Sequence, residues 1–138
     1  MDNMIVVMLA GLLTIGVILL LIIGFGKKGR SRLDKTVYQQ DWLAIESSLG
    51  SDPSSQQFAV MQADKLLDRA LRESGYRGQT MGERMVSAAR VFSQRNAIWA
   101  AHKLRNRIAH EDNVHITPKL TRQALASFKR GLKDLGAL

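Results

Sequence analysis

The sequence has no cysteine in its 138 residues. That excludes structural disulfides, thiolate metal sites and a cysteine nucleophile, and it fits a reducing compartment. Proline and glycine are sparse, with 2 and 11 residues, and no internal repeat is apparent. Neither a disordered tail nor a solenoid is indicated. There is no P-loop, GxGxxG, nucleophile elbow or metal triad. Nothing after residue 30 alternates with period two, which argues against strands. Acidic residues are outnumbered, 12 against 20 Lys and Arg, for a formal charge of +8. All twenty basic residues lie after residue 26, where they face eleven of the acids. Such an excess suits anionic lipid or nucleic acid, or is simply a solvated basic surface.

What is present begins with Met4 to Phe25, an uncharged run rich in Leu, Ile, Val and Met. At helical rise it reaches about 33 Å, enough to cross a hydrocarbon core of roughly 30 Å. A cleavable signal peptide places basic residues before a shorter apolar run. Here Asp2 precedes the run, and Lys27, Lys28, Arg30 and Arg32 follow it. The positive-inside rule then puts the N-terminus outside and the rest in the cytoplasm, as a single-pass cell-membrane protein. Gly11, Gly16 and Gly24 do not form a GxxxG, and Ala10 with Thr14 is a weak substitute, so a plain anchor is expected over a dimerising one. The four basic residues are expected at the membrane surface, each contributing on the order of 1 kcal/mol with anionic headgroups. They also serve as a stop-transfer signal. The organisation expected is an anchor over 1–26, a basic linker over 27–33 and one domain over 34–138.

That domain reads as all-α. Tyr38, Trp42, Ile45 and Leu49 recur on one face of a first helix from Asp34 to Leu49, with Gly50 as its stop. Asp52-Pro53 is a start signal for a second helix that runs to about Ser74 and ends at Gly75. Its inward face is Val60, Ala63, Leu66, Leu67, Ala70 and Leu71. Thr80-Met81-Gly82-Glu83 reads as a capping box, followed by Met81, Met85, Ala88 and Phe92 at helical spacing. Asn96 is a candidate cap for a fourth helix with Ile98, Ala101, Leu104 and Ile108 inward. Whether it continues the third helix through Ser93 to Asn96 is open. Thr117-Pro118 starts a last helix burying Leu120, Ala124, Phe128, Leu132 and Leu135. Segments of roughly 12 to 22 residues with short connections imply a four- to five-helix up-and-down bundle.

The stretch Leu104 to Glu111 carries the chemistry. His102, Asn106 and His110 share one side of the fourth helix with Trp99, and Arg105 falls nearer the apolar stripe. An arginine there needs a carboxylate, a carbonyl or a partner chain. An ideal helix sets Arg105 and His110 about 140° apart around the axis and about 7.5 Å along it. They converge on one phosphate only if the helix end unwinds near Ala109 or two chains meet. Histidine moves protons near neutrality, and arginine offers a charged planar fork for phosphate. Together they suit attack of an RNA 2′-hydroxyl on its phosphate, with no metal or other cofactor. His110 would transfer the proton, Arg105 would stabilise charge, and Asn106 would orient the phosphate or the imidazole. His102 and Arg107 join Asn106 as expected phosphate-binding residues. His102, His110 and His115 do not share a face with Glu111 and Asp112, so a metal site is not expected. The plain alternative is that Arg105 pairs with an acid of a neighbouring helix and His110 caps its own.

Arg105-Asn106-Arg107-Ile108-Ala109-His110, late in an all-helical domain, resembles the R-x4-6-H motif of the HEPN superfamily. The wording is similar to that of HepT-type toxins, R-N-x-x-x-H-x-Y, except that Asp112 stands at the tyrosine position. The resemblance implies a HEPN-like bundle and a homodimer that joins two motifs in one cleft. It also implies metal-independent ribonuclease activity, with Arg105 and His110 as the catalytic pair supported by Asn106. Other HEPN domains are non-catalytic binding modules, so two expectations stand. One is a membrane-anchored domain that binds RNA and can cleave it. The other is a helical adaptor that recruits a protein or nucleic acid to the membrane.

Overall fold

The computed structural model describes residues 2–26 and 32–138. Lys27, Lys28 and Arg30 of the expected membrane-surface cluster lie outside the described residues, and Arg32 is exposed. The chain divides into an N-terminal unit and Arg32–Leu138. Among the described residues there are six helices and no strand.

Helix α1, Asp2–Gly26, is about 37 Å long at helical rise. Its large apolar side chains from Met4 to Leu21 are exposed, and it is long and apolar enough to cross a membrane. The Thr14 hydroxyl donates to the Gly11 carbonyl at 2.8 Å, the bond a hydroxyl needs where water is absent.

The second unit is a bundle of α2 (Lys35–Ser47), α3 (Pro53–Glu73), α4 (Met81–Ser87), α5 (Arg95–His110) and α6 (Pro118–Asp134). Helix α3 packs on all four others, and α5 also packs on α6. The starts are side-chain caps. Asp34 accepts from the Thr36 and Val37 amides, Asp52 from Ser55, Thr80 from Glu83 and Thr117 from Leu120, each satisfying an amide the helix leaves open. The Ser55 amide holds the Asp52 carboxyl below its ordinary range. In the capping box of α4 the Glu83 carboxylate reaches the Gln79 amide, one residue before the cap. Gly75 takes φ 80°, and Tyr76 and Gly75 donate to Leu71 and Arg72 carbonyls, closing α3 in a Schellman turn.

Three expectations are corrected. Gly50 is not the stop of α2: the helix closes earlier, on Ser48, whose amide donates to Ala44 and Glu46 carbonyls. The third helix of the domain is only 7 residues long, because turns carry the chain from Ala88 onward. Ser93 then bonds Asp134 of α6 through both its amide and its hydroxyl at 2.8 Å. Helices α4 and α5 are therefore separate. Asn96 lies inside α5, and the cap position belongs to Gln94, which makes no side-chain cap bond.

The core contains Tyr38, Trp42, Val60, Leu67, Leu71, Met85, Phe92, Ile98, Leu104, Phe128 and Leu132. Two polar devices tie α2 to its surroundings. The Tyr38 hydroxyl donates to Glu73 at 2.8 Å, and burial first, then Glu73, pushes its pKa up to about 12. Lys129 of α6 reaches Glu46 at 2.7 Å and lies over the Trp42 ring. Its ammonium, helped by the Trp42 indole N–H, holds the Glu46 carboxyl below the usual range.

Candidate functional site

Helix α5 is the element that presents the motif. Its apolar stripe, Ile98, Ala101 and Leu104, is buried against α3 and α6. Packing of that stripe turns His102 and Arg105 towards α3, where they meet Asp64. This aspartate is 3 % exposed and sits on the buried side of α3, four residues after Val60 and seven before Leu71. A carboxylate there is stable only if it is paired.

Four side chains close a ring. His102 Nδ1 is 2.7 Å from Asp64 Oδ1. Asn106 Nδ2 is 3.2 Å from His102 Nε2. Arg105 Nη1 donates to Asn106 Oδ1 at 3.1 Å, and Arg105 Nε lies 3.2 Å from Asp64 Oδ2. The last contact is an ion pair by distance but not an aligned hydrogen bond, since Arg105 Nε is buried without a hydrogen-bond partner among the described residues. The other three fix the donor roles. Arginine only donates, so the Asn106 oxygen faces it and the amide N–H2 faces His102. His102 Nε2 then accepts, and its proton sits on Nδ1, donated to Asp64. The imidazole is held in one neutral tautomer by groups at both nitrogens. The Trp99 ring packs edge-on against it, with centroids 6.0 Å apart.

A second pair stands beside the first. Arg84, 8 % exposed, places Nη2 2.7 Å and Nε 2.8 Å from Asp68 Oδ1. Its Nη1 donates to the Gly78 carbonyl at 2.7 Å. Gly78 has φ 154°, and a Cβ there would come within 2.7 Å of the Arg84 amide. This turn needs glycine for the close approach. The two pairs line an open cleft of about 710 Å³ between α3, α4 and α5. It also contains Lys65, Gln62, Gln79 and Thr80. No protein family, curated protein or solved structure matches this chain. What the cleft can do has to be read from its side chains.

Of the five expected site residues on α5, the structure brings His102, Arg105 and Asn106 to this cleft. Arg107 and His110 are not among its lining residues. Both are exposed; Arg107 pairs with Glu111 at 3.2 Å. His110 is the last residue of α5, and no hydrogen bond or ion pair holds its side chain among the described residues. The residues missed from sequence are Asp64, Asp68 and Arg84. Asp64 left one signal, a carboxylate falling on an apolar helical stripe. Arg105 left the complementary one, a cation near such a stripe. Among the described residues no cluster of three His, Asp or Glu is placed to hold a metal.

Charge is uneven along the bundle. Residues 32–94 hold eight Lys and Arg against eight Asp and Glu, whereas 95–138 hold nine against three. The basicity of the domain is carried by α5, α6 and their connection. Arg95, Lys103, Lys119, Arg122 and Lys133 of this segment are exposed, and no ion pair holds them among the described residues.

Proposed function

We propose that the chain is a single-pass membrane protein with its bundle on the cytoplasmic side. The bundle is a HEPN-like binding domain that does no chemistry and recruits a partner to the membrane. One observation carries this reading: Asp64 engages both Arg105 and His102. The arginine's charge is partly neutralised within the fold, and both imidazole nitrogens of His102 are occupied. A phosphate clamp needs an uncommitted guanidinium, and His102, with no free nitrogen, cannot stand in as a base for His110, which lies outside the cleft. The cleft instead offers Asp64 and Asp68 beside Lys65, Arg84, Arg105 and side-chain amides. This mixture suits a polar partner segment better than a polyanion.

The ribonuclease reading has one observation in its favour. His110 is exposed at the end of α5 and unpaired among the described residues, free to meet a site contributed by a second chain. Incubating the full chain, in lipid nanodiscs, with mixed-sequence RNA and a chelator separates the two. The expected result is no cleavage above buffer, with wild type and His110→Ala indistinguishable. Cleavage by the wild type that His110→Ala abolishes would overturn the non-catalytic reading and assign turnover to the motif.

A further inference from the structure

Helix α5 presents the cleft on one side and a second opening on another. Between α5 and α6 runs an apolar groove of about 400 Å³, and the two openings share no lining residue. Ala101, Leu104 and Ala124 form its buried floor, while Ala100, Ala126 and Leu120 stand along its walls. No aromatic side chain lines it, and its polar members are only Gln123 and Ser127.

Its surroundings are basic. Stepping round each helix by 100° per residue puts Lys103 and Arg107 on the flank of the α5 wall, and Lys119, Arg130 and Lys133 on the flank of the α6 wall. Of the carboxylates near its ends, Glu111 is held by Arg107 and Asp134 by Arg130 and Ser93, while Asp112 of the α5–α6 connection is exposed. The three lysines have no ion-pair partner among the described residues.

We infer that this groove docks an acidic amphipathic helix of a partner protein, its apolar ridge on the alanine-lined floor and its carboxylates against Lys103 and Lys119. Small walls let a helix approach at the usual interaxial distance of about 8–10 Å. Anchors at i, i+3/i+4 and i+7 of the incoming helix would fill the concavity. Charge complementarity then selects acidic partners and speeds their encounter. A second copy of this chain would bring like charges together across the same face. Single-stranded RNA takes basic grooves carrying aromatic stacking platforms, and this one has none. A bilayer surface takes protruding large apolar residues, and this surface is concave.

The test uses the full chain in nanodiscs of zwitterionic lipid and a labelled helical peptide, leucine on one face and glutamate on the rest, followed by fluorescence anisotropy. Controls are a scrambled peptide of the same composition, its lysine-for-glutamate counterpart and oligouridine. The expected result is binding of the acidic helix, with the scrambled and basic peptides at least about tenfold weaker, or about 1.4 kcal/mol. Ala100→Glu and Ala126→Glu, both at exposed positions, should each weaken binding at least about tenfold with unchanged helicity by circular dichroism. Arg90→Ala, which removes a charge away from the groove, should leave it unchanged. Equal binding of the scrambled peptide, oligouridine binding that Ala100→Glu weakens, or no binding of the acidic helix by folded protein would each overturn the assignment. The assay does not read RNA cleavage, so its failure is distinguishable from failure of the non-catalytic reading of the cleft.

Discussion

Truncating Asp64 leaves two donors facing each other where water has little access. His102 Nδ1–H loses its acceptor, and the Arg105 guanidinium loses the carboxylate beside its buried Nε. Asp64→Ala is therefore expected to cost about 3 kcal/mol in denaturant unfolding, the range for breaking one side of a buried pair. Arg105 is partly open to solvent, with 31 % of its side chain exposed, so Arg105→Ala should cost less, roughly 1 kcal/mol. The double variant should fall short of the sum by about 1–2 kcal/mol, because the two share one interaction. Strict additivity would show that the ring is not coupled. Tyr38 gives a pH dependence of definite sign. Its folded pKa of about 12 exceeds the ordinary phenol value of 10.0, so between those values the folded chain keeps a proton that the unfolded chain releases. The contribution is fully present below pH 10 and falls as pH rises towards 12, by about 3 kcal/mol in all. Tyr38→Phe should be less stable at neutral pH, by about 1 kcal/mol for the lost hydrogen bond. That deficit should shrink and then reverse in sign through the alkaline window, because the pH-linked loss exceeds it, and thermal melts of both proteins at stepped pH would check it. A gap that stayed constant with pH would mean that the phenol gains no protection from burial.

Helix α6 lies close against α3 and α5 at Gly131. A Cβ there would sit 3.2 Å from both Ile98 Cδ1 and Leu67 Cδ1. Alanine would gain about 1 kcal/mol of helix propensity against a contact that the two flexible methyl ends can partly relieve. Gly131→Ala should thus stay within about 1 kcal/mol of wild type, whereas Gly131→Leu should lose about 1–3 kcal/mol by overpacking. Chemical denaturation of the two variants decides it, and a stabilised leucine variant would refute the close approach. The same contrast explains which elements could be read from the sequence. The caps Asp52, Thr80 and Thr117 were legible because each bond spans three residues, so the signal and its consequence share one window. The apolar stripes of α3, α5 and α6 were legible for the same reason. The break between α4 and α5 was not, because Ser93 is held by Asp134, 41 residues away. At the site, the need of Arg105 for a carboxylate was readable from its place on α5. That the carboxylate would be Asp64, and would bind His102 as well, depends on how α3 and α5 cross.

At the scale of the whole molecule, the apolar helix and the uneven charge lead to one topology. Asp2 precedes α1, and Lys27, Lys28, Arg30 and Arg32 follow it. Translocating four cations costs more than translocating one carboxylate, so the bundle is expected to stay in the cytoplasm. The absence of cysteine makes this directly measurable, because an introduced thiol would be the sole target of a membrane-impermeant maleimide. Asn3→Cys should label in intact cells. Ala109→Cys, at an exposed position of α5, should label only after permeabilisation, and both variants should sediment with membranes. Reversed labelling would place the bundle outside, where a cytoplasmic partner for the basic groove could not reach it. Recovery of the full chain in the soluble fraction would remove the membrane from the account, although α3 and the four helices packed on it have a core of their own. The orientation is therefore the condition on which recruitment to the inner membrane face depends, and it can be tested before any partner is known.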